Sequence, residues 1–223
     1  MRVLVGCEES QTVLHELLEA GHDAYSCDLQ ECSGPYPERH FQEDIFNVLK
    51  TKGPWDLFIC HPPCTFMSNS GVKHLWAESS DVVPLKGPPR WEALFKAADF
   101  WVNLWDAAIK AGIPKIAFEN PIPHKYAIRL IGSTYQQLIQ PHQFDTLESK
   151  ATCFWLHGLQ PLIPTSDLKY EWSQLPKSDG QKIFYMSPGK ERSKERSKTF
   201  PSIAKAMVYF WANDVQVGLF NEK

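Results

Sequence analysis

Residues 2–28 read RVLVGCEESQTVLHELLEAGHDAYSCD, and this stretch decides the fold. Arg2-Val3-Leu4-Val5-Gly6 is a short apolar run stopped by glycine, the pattern of a buried strand. From Ser10 to Ala20, Val13, Leu14, Leu17 and Leu18 recur at helical spacing, and Gly21 stops the helix. Asp23-Ala24-Tyr25-Ser26-Cys27 reads as a second strand, closed by Asp28. Strand, helix and strand within about thirty residues make a βαβ unit.

The same alternation continues outward. Residues 45–50 predict a short helix, and Trp55 to Cys60 a strongly apolar strand with His61 opening the loop at its carboxyl end. Residues 71–90 are rich in Gly, Pro and Ser and predict a mobile loop. A long amphipathic helix is expected from Trp91 to Ala111, ended by Gly112; Trp101, Leu104, Trp105 and Ala108 mark its core face. Ile113 to Phe118 is another strand, followed by a Glu119-Asn120-Pro121 turn. Such alternation implies a largely parallel sheet whose ligand sites lie outside the carboxyl ends of the strands. Gly6, Asp28, the His61–Cys64 loop and Glu119-Asn120 all fall there.

Beyond residue 130 the pattern shortens and becomes β-like, at Gln137–Ile139 and Thr152–Leu156. Residues 165–198 are polar, and five of the nine residues from Lys190 to Lys198 are cationic. A solvated loop is the plain reading of that run and is slightly favoured; a phosphate-contacting loop is the sharper one. Thr199-Phe200-Pro201 introduces a final helix through Trp211, with Ser202 or Thr199 as cap.

The 223 residues suffice for one α/β domain, with or without a small appendage. A net charge of -3 gives no overall basic signature, so any nucleic acid must be held by local patches. No apolar run reaches the length of a membrane span, and the chain opens directly on a strand-like segment. Neither signal peptide nor membrane contact is expected, and a cytoplasmic setting is. Six cysteines (Cys7, Cys27, Cys32, Cys60, Cys64 and Cys153) do not suggest a disulfide framework in a chain neither small nor secreted. Cys60, His61 and Cys64 invite zinc, but two prolines fix the backbone between them and no second Cys/His pair follows at the usual spacing; no metal is expected. Cys7, Cys27 and Cys60 read as small packing hydrophobes.

Gly6 after the first strand and Asp28 after the second suit a nucleotide-like cofactor, through close backbone approach and a carboxylate for ribose hydroxyls. With neither G-x-G-x-x-G nor a P-loop, a phosphate-free cofactor such as S-adenosylmethionine is easier to reconcile with the chain. Pro62-Pro63 makes a stiff loop that presents Cys64 into a cleft, where a thiol can be activated by its neighbours. Taken alone, Cys64 reads equally well as a buried packing cysteine. Glu119-Asn120-Pro121 tips the balance, since a buried Glu with a raised pKa can donate to the ring nitrogen of a heterocycle. A salt-bridged strand end is the plainer alternative for Glu119.

In this order the residues resemble the cytosine-5 DNA methyltransferase family, especially its compact phage- and prophage-type members. Val3-Leu4-Val5-Gly6-Cys7-Glu8 resembles the cofactor-binding first motif, with Glu8-Glu9-Ser10 where the family has a second glycine. Asp28, followed by Leu29, looks like the acidic residue that holds the cofactor ribose. Glu43-Asp44-Ile45 is similar to the segment whose Asp contacts the adenine amino group. Asp56 through Pro62, Pro63 and Cys64 resembles the motif that carries the nucleophile, placing it at Cys64. Glu119-Asn120-Pro121 resembles the family's Glu-Asn-Val, and Thr199 through Met207 looks like the last motif. The family's Gln-x-Arg-x-Arg has no match; Lys150 is the nearest cation. Between residue 150 and the final helix there is no room for a large target-recognition domain.

The resemblance implies an α/β, Rossmann-like S-adenosylmethionine-dependent methyltransferase fold with a mostly parallel sheet and a small β-rich C-terminal extension. It divides the chain into a cofactor-binding and catalytic core (1–135), a variable target-contacting region (136–198) and a C-terminal helix packing back on the core (199–223). It implies methyl transfer from S-adenosylmethionine to carbon 5 of cytosine in DNA, duplex or single-stranded, through a Cys64 adduct, in a bacterial host cytoplasm if phage-encoded. Cys64, Glu119, Asn120 and Pro63 carry the chemistry, while Gly6, Cys7, Glu8, Asp28, Leu29, Asp44, Ile45 and Pro62 hold the cofactor. Lys150, Arg192, Arg196 and Lys198 contact the substrate. Trp76 or His74 is available to fill the stack vacated by a flipped base, although a surface loop is their plainer role. Three rivals stay open: an amino-methyltransferase, an enzyme of cytosine nucleotides or another nucleobase, and an inactive nucleic-acid-binding homologue. The first normally wants Asp, Asn or Ser before the prolines and an aromatic after them, against His61 and Cys64 here.

Overall fold

A computed structural model describes residues 1–76, 86–187 and 189–213. Its strands are β1 (Arg2–Gly6), β2 (Asp23–Asp28), β3 (His40–Gln42), β4 (Leu57–Cys60), β5 (Lys115–Pro121), β6 (Gln137–Ile139) and β7 (Thr152–His157). They form one sheet in the order β3-β2-β1-β4-β5-β7-β6. The first five run parallel; β7 lies antiparallel to both β5 and β6. This is a Rossmann-like, doubly wound α/β sheet, with its switch in strand order between β1 and β4, where Gly6 pairs with Cys60.

Helices α1 (Thr12–Glu19), α2 (Ile45–Thr51), α3 (Pro88–Lys110) and α4 (Lys125–Ile131) connect the strands, and α9 (Pro201–Met207) returns to the sheet. Because side chains alternate across a strand, each central strand feeds two cores. Val3, Val5, Leu57, Ile59 and Ala117 pack with Leu14 and Leu17 of α1 and Ile203 and Met207 of α9. Leu4, Phe58 and Phe118 face Trp101, Leu104 and Ala108 of α3. Both faces are covered, as the continuous apolar strands require.

Several boundaries differ from the sequence reading for physical reasons. The helix begun at Ser10 starts at Thr12, because Glu8 rather than Ser10 supplies its cap. Residues 71–75 form a 3₁₀ turn within Asn69–Leu75, and α3 starts at Pro88, the position where a missing N–H costs nothing; residues 77–85 of that expected loop lie outside the described residues. Glu119-Asn120-Pro121 is no turn: β5 runs through it, paired with Phe154, Cys153 and Thr152 of β7. The β-rich part of the C-terminal region is β6 and β7, and both join the main sheet. Beyond β7 the region is helical, in α5 (Lys169–Gln174), α6 (Lys177–Gly180), α7 (Lys182–Tyr185) and α8 (Lys190–Ser197).

The charged run is thus a helix and not a loop, consistent with the strong helix preference of Lys, Glu and Arg. The final helix is capped by neither Thr199 nor Ser202. Pro201 opens it, Ser202 Oγ instead meets Thr146 Oγ1 at 2.8 Å, and a wide π turn at Val208–Ala212 ends it. Among the described residues no helix is long and apolar enough to cross a membrane.

Candidate active site at the carboxyl edge of the sheet

Register brings the central residues together. β4 and β5 pair through Cys60 and Phe118, so the next residues, His61 and Glu119, stand side by side. His61 Nδ1 lies 2.9 Å from Glu119 Oε2, with only 9% and 10% of the two side chains exposed. One residue further, Asn120 Nδ2 donates to the Pro62 carbonyl at 2.9 Å. That bond fastens the stiff Pro62-Pro63 segment to β5 and so fixes where Cys64 is presented. The Cys64 carbonyl accepts from the amides of Met67 and Ser68, which turns the chain back, and Ser68 bridges to Pro123 beyond β5.

Charges converge on the thiol. Burial pushes the Cys64 thiol above its ordinary value and Glu119 adds to the effect, while Arg196 and Lys150 act against it. Lys150 is itself pushed down by burial, with Glu119 and Cys64 opposing. Its Nζ donates to the Lys198 carbonyl at 2.6 Å, and it lines a narrow cleft with Glu119, Thr152, Thr199, Phe200 and Ile203. The expectation of a raised Glu119 pKa is not met. Burial pushes its carboxyl up, but the hydrogen bond and charge of His61 and the charge of Lys150 outweigh that and hold it below the ordinary value. Glu119 is a carboxylate in the resting protein.

Of the four expected substrate cations, Lys150 lines that cleft and Arg196 acts on the Cys64 thiol through its charge, while the other two are engaged elsewhere. Arg192 sits over the Phe184 ring at 5.6 Å, and Lys198 Nζ pairs with Glu195 at 2.6 Å.

The expected cofactor residues ring the switch point with unequal roles. Gly6 is demanded by packing, since a Cβ there would stand 2.8 Å from the Phe58 ring and 3.1 Å from Cys60 Sγ. Cys7 takes a left-handed φ of 56° and places its Sγ 3.9 Å from that of Cys60. Glu8 is turned inward: its carboxylate accepts from the amides of Val13 at 2.7 Å and Leu14 at 3.3 Å, serving the orphan donors of α1. That places Glu8 in the protein's own framework. Asp28 Oδ1 accepts from Gln30 N at 2.9 Å, and the neighbouring Leu29 is 75% exposed. Asp44 caps α2 through Phe46 N at 2.8 Å, whereas Ile45 is buried in the core.

His61 was read in the sequence as a neighbour of the prolines, and its pairing with Glu119 was not foreseen. The structural role of Gln11 was not foreseen either. Gln11 is fully buried and clasps Tyr36, donating to its carbonyl at 2.8 Å and accepting from its amide at 2.8 Å. Among the described residues no group of three or more His, Cys, Asp or Glu is placed to hold a metal ion.

No protein-family model matches this sequence, and no curated protein matches it significantly. Solved structures do. One, described as a DNA modification methyltransferase encoded within a prophage of E. coli, is 13% identical with a TM-score of 0.47, over 85% of this chain and 56% of that one. Another, a mutant of DNMT2 from Spodoptera frugiperda, is 16% identical with a TM-score of 0.34, over 70% of this chain and 49% of that one. The chain spans about half the length of each. At these identities the likeness is one of fold.

Proposed function

We propose that the chain is a methyltransferase that uses S-adenosylmethionine to methylate carbon 5 of cytosine in DNA, with Cys64 as nucleophile, in the cytoplasm of a bacterial host. The observation that carries this reading is the fastening of the Cys64 loop to β5 by Asn120, beside the buried His61–Glu119 pair and the cleft that Glu119 shares with Lys150. A thiol on a rigid loop faces a carboxylate and two cations, the set needed to add sulfur to an electron-poor ring and to manage the charge that develops.

The residues present fit the cofactor. Asp28 offers a carboxylate to ribose hydroxyls beside exposed Leu29, an apolar surface for adenine, and Asp44 stands at the neighbouring edge. Bound there, S-adenosylmethionine supplies an electrophilic methyl group.

The protein's own residues do the rest. Lys150 and Arg196 favour loss of the Cys64 proton. The Sγ–C6 bond then forms, and the displaced π pair moves into the ring. Glu119 relays the proton lost from Cys64 to N3, so that negative charge does not accumulate in the ring, and His61 at 2.9 Å holds its carboxylate in place. After carbon 5 has gained the methyl group its proton passes to water; the pair of that C–H bond re-forms the C5=C6 double bond, the Sγ–C6 bond breaks with its pair on sulfur, and the N3 proton returns through Glu119 to Cys64. Asn120 holds the Pro62-Pro63-Cys64 loop at its working distance throughout. Residues 136–198 contribute the target-facing side through Lys150 and Arg196, the core of 1–135 the cofactor and nucleophile, and the segment from 199 the cover of the cleft.

The test is transfer of a labelled methyl group to duplex DNA, single-stranded DNA and cytosine nucleotides, with Cys64→Ala in parallel. Transfer to DNA that is lost in Cys64→Ala supports the proposal; transfer that survives in Cys64→Ala, or goes only to free nucleotides, ends it.

A further inference from the structure

The chemistry above makes no use of an aromatic cluster on the flank of the Cys64 loop. Trp76, at the end of the 3₁₀ turn, is 59% exposed. Its ring centroid lies 5.7 Å from that of Trp91 and 5.2 Å from that of Tyr126, and Trp91 and Tyr126 are themselves 5.2 Å apart. Phe95, 47% exposed, extends the group from Trp91 at 6.1 Å. Single exposed apolar side chains are ordinary, whereas an exposed Trp76 seated on two half-buried rings, Trp91 and Tyr126, with exposed Phe95 beside them calls for an explanation. Pinning the turn to α3 and α4 explains the ring contacts, but that role would be served better by burying Trp76.

The cluster is tied to the nucleophile loop. Arg90, next to Trp91, donates from Nη2 to the Thr65 carbonyl at 3.1 Å and lies 5.2 Å from the Phe66 ring. Asn69 N donates to the Ile122 carbonyl at 2.8 Å, joining the turn to the segment that leads into α4. Cations accompany the rings. Lys125 Nζ sits 5.1 Å from the Tyr126 centroid. Lys73 and His74 stand in the last turn of the 3₁₀ segment that ends at Trp76.

Open ring faces flanked by cations suit unpaired nucleotides, whose bases stack on the rings while phosphates meet the charges. A duplex already stacks its bases on one another and leaves such rings nothing to hold. We propose that Trp76, Trp91 and Tyr126, with Lys73 and Lys125, form a stacking platform for unpaired bases beside the target, and that the substrate is single-stranded DNA. That the bound strand is DNA, and that it is methylated, rests on the methyltransferase reading; the stacking of unpaired bases does not.

Fluorescence anisotropy with a labelled DNA strand of about twenty nucleotides, its duplex and the matching RNA tests the proposal on the full chain. Single-stranded DNA is expected to bind more tightly than duplex or RNA. Trp76→Ala should weaken that binding about 5- to 150-fold, the range for losing one base–aromatic stack, and Trp76→Phe should restore most of it. Lys73→Gln should flatten the dependence of log K on log salt by about 0.7. The proposal is overturned if no strand binds, if duplex or RNA is preferred, or if Trp76→Ala binds within about twofold of the parent while the salt slope stays unchanged. Binding of the strand by the parent protein without methyl transfer would strike the catalytic reading and leave the platform standing.

Discussion

Replacing His61 by alanine leaves Glu119 buried without its closest partner, and the cost follows from the geometry. The pair meets at 2.9 Å with about nine-tenths of each side chain out of water. Removing one member of such a pair typically costs about 3–5 kcal/mol, because an uncompensated charge stays behind. Lys150 still acts on Glu119, which places the expected loss near the lower end, about 3 kcal/mol. For a chain of this size each kcal/mol is about 2–4 °C in Tm, so His61→Ala should melt about 6–12 °C lower near neutral pH.

The pH dependence gives the sharper check. With His61 present, Glu119 is depressed below 4.5, so its contribution to stability exists above that value and fades as pH falls through the lower folded value. Without His61, burial dominates and the folded-state value is raised. The folded protein then favours the protonated carboxyl, and the penalty grows as pH rises through that raised value. The deficit of His61→Ala should therefore be large at neutral pH and shrink toward pH 4.5, and His61→Ala/Glu119→Gln should be more stable than His61→Ala alone. Melting curves across pH measure both. A deficit independent of pH, with the two substitutions simply additive, would refute the reasoning.

Other consequences are open to direct measurement. Asn120→Ala leaves the Pro62 carbonyl without its donor; since Asn120 Oδ1 has no hydrogen-bond partner to lose, chemical denaturation should show only about 1 kcal/mol of loss, against a larger fall in methyl transfer. Gly6→Ala drives a methyl group against Phe58 and Cys60 and should cost about 1–3 kcal/mol in the same assay. Glu119→Gln removes a negative charge that raises the Cys64 thiol, so alkylation of Cys64 by iodoacetamide at mild alkaline pH, followed residue by residue by mass spectrometry, should quicken about severalfold, while Lys150→Met should slow it.

The doubly wound sheet was legible because an apolar run, a helix of period 3.6 and a second strand follow one another in β1, α1 and β2. Cys64 and Glu119 were legible as chemistry because prolines fix one and a core strand carries the other. What the sequence hid lies in pairings between distant segments. That β5 continues through Glu119 and Asn120 depends on β7, some thirty residues later, supplying the partner strand. That Glu119 is a carboxylate depends on register with His61, a property of two strands and not of either. Glu8 looked like a ligand for a cofactor because nothing local reveals that the amides of α1 take up its carboxylate. The charged run from Lys190 was ambiguous for another reason: the same residues that solvate a loop also favour a helix, and the helix brings Arg196 to the site while turning Arg192 to Phe184.

The central claim is that Cys64 bonds to carbon 6 of cytosine during methyl transfer. A single-stranded oligonucleotide carrying 5-fluorocytosine, mixed with the protein and S-adenosylmethionine, tests it most directly, since fluorine at carbon 5 cannot leave as a proton does. A complex that survives denaturation, with the base mapped to Cys64 and one added methyl group, is the predicted result, and Cys64→Ser should form none. Methylation of ordinary cytosine by Cys64→Ser, or a stable adduct mapped to any other residue, would contradict the account.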